Sequence, residues 1–444
     1  MSWALSCFTL RRRYDEVVLY TDSAGKHVLI DLLHLPYTEV NVVFDDFKCL
    51  PHHWALAKVY TYSLQEKPFI HVDGDVYLPN GIPVEVAVSP LIAQNREVGT
   101  SYYRDMMERV IHNPNIKLPE CIVKTIEEDA LSSYNMGVFG GNDLEFIKRY
   151  CEEVFSFLKV NKLNDANSVN KDIECNIFFE QIILAALADI ETIDVGYIID
   201  RLLPDEGYSV EDFCDFDHFD QSPILHLLGG HKRNKRVIMP LKHYFVSHHF
   251  GVFKDLVLTF DKEFRRTRKQ ARRYMSPNPH LDAYFKYISN KMEEWNPESA
   301  EEKILRERDI AESSAFAHDF IVDANGFRMV LNPSVSVFSF GKRLDYKMDE
   351  PVFRWFDCIE VYPLADIAVR NSFCPGSCES TPLKPMDLKI VRTVQSGNDN
   401  AASIMKDCIS PKIKGAGREI MEEYVMMEIL FLVRNEILMI MSLQ

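Results

Sequence analysis

The first half of the sequence predicts an α/β fold, and three observations lead there. Short β-rich runs alternate with helical patterns. The first run, Val17–Thr21, ends at Asp22 just before the turn signal Ser23-Ala24-Gly25. A helical stripe with apolar residues four apart, Phe146, Tyr150, Val154 and Leu158, follows further on. Alternation of this kind favours a sheet with parallel strands flanked by helices.

Taken in order, a helical segment from Ser2 to Leu10 precedes the strand Val17–Thr21, and Val40–Phe44 is the next strand. The pattern then predicts a helix over Trp54–Ser63 and a strand over Phe69–Val72. Asn142 and Glu145 have the spacing of a capping box at the head of a helix running to Leu158. Another helix is predicted from Asn176 to Ala188. Past residue 250 the character changes. Helices are predicted over Val252–Arg273 and His280–Trp295, then a linker at Asn296-Pro297-Glu298-Ser299. Phe320–Leu331 reads as a hairpin about Ala324-Asn325-Gly326, and Ser334–Phe340 and Cys358–Tyr362 as strands. Met386–Gln395, Asp399–Cys408 and Arg418–Arg434 read as helices, closed by a strand over Glu436–Met441. Three helices and a strand fit a small winged-helix unit. The expected organisation is an α/β domain over 1–250, a helical and β-hairpin connection over 251–380, and a winged-helix-like, partner-binding unit over 381–444.

Composition narrows the function. The 444 residues carry 66 acidic against 50 basic side chains, a net charge of −16. A surface-wide nucleic-acid binder would lean the other way, so no nucleic-acid partner is expected. With 47% apolar residues the chain is neither disordered nor fibrous. Ten scattered cysteines and no signal peptide point to reduced thiols in the cytoplasm. The most apolar stretch, Tyr424 to Leu443, is broken by Glu428, Arg434 and Glu436, so no membrane span is expected.

Four motifs carry chemistry. His71-Val72-Asp73-Gly74-Asp75-Val76 ends an apolar strand in two carboxylates. Aspartates at i and i+2 can turn toward one hard cation such as manganese or magnesium, and glycine between them lets the backbone approach. A plain Asp-Gly turn is the alternative. Leu225-His226-Leu227-Leu228-Gly229-Gly230-His231-Lys232 delivers an imidazole, a tight glycine path and a lysine that can meet a phosphate. Its alternative is a turn with a hydrogen-bonded histidine at its edge. In Tyr134-Asn135-Met136-Gly137-Val138-Phe139-Gly140-Gly141, Asn135 offers both a donor and an acceptor beside glycines, or the loop merely feeds the next helix. Finally, Glu180-Gln181 stands among Phe178, Phe179, Ile182 and Ile183. A buried position would require partners, and an edge-of-surface position is the simpler reading.

In this order the four motifs resemble those of nucleotide-sugar glycosyltransferases of the GT-A fold, closest to the glycogenin and lipopolysaccharide-galactosyltransferase group. That family runs Asp-x-Asp, Asn-x-Gly, an acidic/Gln pair and His-x-x-Gly-x-x-Lys. The opening Met1-Ser2-Trp3-Ala4-Leu5-Ser6-Cys7 and the strand into Asp75 are also similar to an uncharacterised bacterial set of glycosyltransferase-like proteins. The likeness covers roughly residues 1–250. It implies a Rossmann-like GT-A mixed sheet and a divalent metal, Mn2+ or Mg2+, held by Asp73, Asp75 and His226. It implies donor contacts from Lys58, Asp73, Gly137, Gly229 and Lys232, and catalytic or sugar contacts from Glu180, Gln181 and Asn135. The implied reaction is transfer of a sugar from a nucleotide diphosphate, most simply UDP, to an unknown acceptor that the C-terminal unit would present as a peptide or protein.

The opening β-strand of the GT-A fold is absent. Either Met1 is internal to a longer gene or part of the nucleoside site is lost, and an open edge beside Val17–Thr21 is expected. Rival readings are a decayed transferase that only binds a partner, and phosphoryl transfer, which Tyr77 disfavours at its position past the second aspartate. Cys374 and Cys378, with Cys358 and Cys408, are weak zinc candidates. The basic run Arg265, Arg266, Arg268, Lys269, Arg272, Arg273 reads as a solvated helix face.

Overall fold

The computed structural model describes residues 1–98, 101–127, 132–170, 172–200, 208–267, 279–295, 299–344, 364–371 and 378–443. The chain divides into two compact units, Met1–His231 and Lys232–Gln444, where the sequence placed boundaries at 250 and 380. The architecture is mixed α/β, with small sheets and many helices.

In the first unit, helix Ser2–Arg11 leads to strand Val18–Thr21, which pairs in parallel with Glu39–Val42. The Asp22 carboxylate caps the intervening helix Ser23–Lys26 by accepting from Gly25 N. Among the described residues Val18–Thr21 pairs with no other strand. A four-stranded sheet runs in the order Phe69–Val72, Val138–Gly141, Leu91–Ala93, Val195–Tyr197. Its first two pairings are antiparallel and only the last is parallel. The sheet is thus mixed, as expected of the domain, and the parallel direction that alternation alone favours holds only for its last pairing. Alternation of strands and helices does not fix strand direction once the connections exceed a single crossover.

Helix Leu144–Val160 buries Phe146, Tyr150, Val154 and Leu158, as its periodicity demands. Its cap is Asp143, which accepts from Phe146 N at 2.9 Å, and not Asn142. Sheet pairing explains the shift. Asn142 N is tied to Pro90 O, and its side-chain amide donates to Ala87 O and Ser89 O. Glu145 thus falls one position early for a capping box. The core packs Leu56, Val59 and Tyr62 of helix Leu56–Ser63 with Tyr150, Val154, Phe179 and Ile183. Each such side chain contributes about 1.5–3 kcal/mol on burial.

The second unit begins with helices Lys235–His248 and Phe250–Thr267. Helix Ala300–Ala315 opens with a complete capping box from Ser299 and Glu302. The expected hairpin over Phe320–Leu331 does not form. Ala317–Val322 is helical, Ala324–Gly326 is a single 3-10 turn, and strand Phe327–Leu331 pairs with Leu438–Ser442 instead. Strands Val335–Leu344, Leu364–Asn371 and Cys378–Leu383 form an antiparallel sheet. Helices Pro385–Gln395, Ala401–Cys408 and Ala416–Arg434 share a core with Phe320 and Met329. A buried ion cluster lies within this unit. Lys242 meets Glu307 at 2.6 Å and also Glu436, while Arg370 meets Glu436 at 2.6 Å and His243 meets it at 2.8 Å. Lys242, Arg370, Glu307 and Glu436 are all buried.

The expected strand Cys358–Tyr362, most of the linker at 296–299, and Cys358 and Cys374 lie outside the described residues, as do Arg268, Lys269, Arg272 and Arg273. Among the described residues, no helix is long and apolar enough to cross a membrane.

Candidate metal centre

Asp73 and Asp75 sit on the tight turn that follows strand Phe69–Val72. Asp73 N is held by Gly137 O, and Val76 N returns to Asp73 O at 3.0 Å. The chain then pairs Val76–Tyr77 with Leu225–His226 in an antiparallel ladder, opposing His226 to Val76. Leu227 N donates to Asp75 O at 2.9 Å. This ladder brings together residues far apart in sequence. One ligand atom from each of Asp73, Asp75 and His226 lies within 4.8 Å of the others.

The histidine is oriented by its other ring nitrogen. His226 Nδ1 lies 2.7 Å from Gln94 Oε1, and Gln94 Nε2 donates to Asn95 Oδ1 at 3.2 Å. The amide orientation that satisfies Asn95 makes Oε1 the acceptor, so Nδ1 carries the proton. Nε2 then presents its lone pair on the side of Asp75, whose Oδ1 is 3.7 Å away. A fixed tautomer of this kind is how proteins prepare an imidazole ligand. Gly137 makes the approach possible. A Cβ there would come 2.4 Å from His226 Cε1 and 2.5 Å from Gln94 Oε1. The glycine was expected to admit a ligand; what it admits is the histidine.

Asp73 is bound on both oxygens. His71 Nε2 donates to Oδ1 at 2.9 Å and Lys58 Nζ to Oδ2 at 2.7 Å. A carboxylate has about four lone-pair sites, so these bonds leave room for a cation. Burial pushes the Asp73 carboxyl up, but Lys58 and His71 outweigh it and hold the group well below the usual carboxylate range. Lys58 also donates to Glu180 Oε1 at 2.9 Å. Burial tends to discharge this lysine, while Asp73 and Glu180 together hold it protonated. One ammonium therefore joins Asp73 to Glu180.

Glu180 lies on the π-helical turn Phe178–Ile182 and is fully buried, not at a surface edge. Such turns widen a helix locally and are frequent at functional sites. The turn is braced by Tyr150, whose hydroxyl donates to Glu180 O at 2.8 Å. Burial raises the Glu180 carboxyl, Lys58 opposes this and Asp73 adds to it, leaving it above its ordinary value. Its Oε2 is buried and has no hydrogen-bond partner among the described residues. Gln181 is buried beside it.

The other candidates stand differently. Asn135 turns into the protein: its Oδ1 accepts from Gly137 N at 3.1 Å, and its Nδ2 faces Glu97 Oε1 and Tyr208 OH at 3.4 Å each. It shapes the Gly137 loop. Gly229 adopts a left-handed φ of 42° at the head of the 3-10 turn Gly229–Arg233. Lys232, on that turn, is exposed and is the first residue of the second unit. Sequence reasoning missed His71 and Gln94. His71 had a signal, since it shares a strand face with Asp73 at period two. Gln94 had none, because its contact is made across the fold.

The chain belongs to a family of unknown function, DUF6734, whose signature covers residues 1–259. No curated protein matches it.

Proposed function

We propose that this protein is a metal-dependent glycosyltransferase of the GT-A type, moving a sugar from a nucleotide diphosphate donor, UDP-linked, to an acceptor. The observation that carries the reading is the convergence of Asp73, Asp75 and His226, with Lys58 linking that cluster to the buried Glu180. Two carboxylates and one imidazole suit Mn2+ or Mg2+. When bound, the metal supplies Lewis-acid stabilisation of the leaving diphosphate. Asp73, Asp75 and His226 would hold it, and Gln94 keeps the imidazole in its ligand tautomer. As the bond between the anomeric carbon and the diphosphate oxygen breaks, the diphosphate leaves with the electron pair, the acceptor nucleophile bonds to that carbon and releases its proton to solvent, and positive charge grows on the sugar between the two events. Glu180, buried, joined to Asp73 through Lys58 and braced by Tyr150, is the carboxylate that would face it.

The acceptor fits a peptide or protein. Helix Ala416–Arg434 leaves Ile420, Tyr424 and Met427 exposed at helical spacing, an apolar stripe suited to a protein surface. The winged-helix comparison for the last three helices belongs to the same proposal.

The test is Mn2+ binding by electron paramagnetic resonance, combined with hydrolysis of UDP-sugars by the full chain. Asp75→Asn and His226→Ala should each weaken Mn2+ about tenfold to a hundredfold and remove hydrolysis. Undiminished Mn2+ binding in both variants would sink the assignment.

A further inference from the structure

A half-exposed tryptophan stands on the turn that carries the two aspartates. Helix Ser2–Arg11 buries Ala4, Leu5, Ser6, Cys7 and Thr9, yet leaves Trp3 47% exposed. Its indole rests on Gly74. A Cβ at that residue would come 2.4 Å from Trp3 Cε2 and 2.5 Å from Cδ2, the two atoms shared by the fused rings. The glycine between the aspartates is therefore the residue that lets an indole lie on their backbone. Two hydroxyls from the same helix lock it there. Ser2 Oγ donates to Gly74 O at 2.9 Å and pairs with Tyr77 OH at 2.8 Å, and Ser6 Oγ donates to Asp73 O at 3.4 Å. The indole is thus fixed against the turn through Gly74 and left about half open, so that part of a large aromatic surface is free to meet a ligand.

The metal cluster gives the direction. A second exposed indole, Trp54, lies under the Lys58 ammonium, 5.3 Å from its ring centre, and so belongs with Lys58 and Glu180. Trp3 lies on Gly74, the residue between the two aspartates, and the Lys58–Glu180 link runs without it. With the diphosphate at Asp73, Asp75 and His226 and the sugar toward Glu180, the remaining part of the donor is its nucleoside. We propose that Trp3 is the stacking platform for the donor nucleobase. This rests on the transferase reading above. Stacking on an indole is tolerant of base identity, so Trp3 supplies affinity and other groups choose the base.

The experiment uses the full chain with saturating Mn2+ and titrates UDP, ADP, GDP and inorganic pyrophosphate by calorimetry. Trp3→Ala should weaken the nucleotide that the wild type binds about tenfold to a hundredfold and leave pyrophosphate within about twofold. Trp3→Phe should keep most of the affinity. Independently of any folding defect in the alanine variant, the nucleotide should quench wild-type indole fluorescence where pyrophosphate does not, and Trp3→Phe should lose that quenching. Equal losses for nucleotide and pyrophosphate would make Trp3 a mere support of the turn and overturn the proposal. Full nucleotide affinity in Trp3→Ala would overturn it while leaving the transferase reading intact. A wild type that binds none of the nucleotides would overturn both.

Discussion

Lys58 is the residue on which the site's electrostatics turn. It faces Asp73 and Glu180, two carboxylates that burial would otherwise push toward the neutral form. Asp73, held below its unfolded value, contributes stability that is present above about pH 4 and lost as pH falls through its folded value. Glu180, held above its unfolded value, works the other way, and its cost grows as pH rises through that range. In Lys58→Met the first contribution disappears and the second cost increases. The stability gap between wild type and variant should therefore widen between pH 4 and pH 7. The acid limb of any pH–rate profile should also move upward. Urea melts at pH 4 and pH 7 measure the first effect, and an equal gap at both would contradict it. The lysine was legible in the sequence only as one helix residue among several, with a solvated role just as plausible. Asp73, Asp75 and His226 were legible because short motifs carry their chemistry on their face. Trp3 and Gln94 were not, because each acts through a contact made across the fold, and no local pattern encodes a partner 71 or 132 positions away.

Elements were legible where periodicity governs and illegible where pairing does. The stripe Phe146, Tyr150, Val154, Leu158 gave its helix, and the β-rich run gave Phe69–Val72. The cap moved from Asn142 to Asp143 because a strand neighbour had already claimed Asn142 N. The turn at Ala324–Gly326 has hairpin composition, but a strand more than a hundred residues later takes the partner's place. That later strand follows directly on Glu436, where helix Lys235–His248, helix Ala300–Ala315 and strand Leu364–Asn371 send Lys242, Glu307 and Arg370 into one buried cluster. Buried ion pairs add little over an apolar core, yet removing one partner strands the others. Glu436→Gln should destabilise the chain by about 3–5 kcal/mol, read by urea denaturation at neutral pH. A loss under about 1 kcal/mol would mean that the cluster relaxes by admitting water.

At the scale of the molecule, Asp73, Asp75, His226, Lys58 and Glu180 all belong to the first unit, and the second unit has its own core. Ligation should stabilise the state that binds, by about 2.7 kcal/mol at a hundredfold excess over Kd. Hydrogen exchange with Mn2+ and UDP should then slow over 56–76, 91–98, 135–141 and 225–231, and leave the helices over 385–434 nearly unchanged. Slowing confined to the second unit would place the ligand elsewhere. The ladder between Val76–Tyr77 and Leu225–His226 has a further consequence, in time and not in space. A ribosome adding about 5–20 residues per second releases the two aspartates roughly eight to thirty seconds before their histidine. During that interval the nascent chain holds the acidic half of the proposed cation site with no imidazole to complete it. The centre is thus finished only when the first unit is nearly all made, and a chain stalled short of His226 should emerge unable to retain manganese.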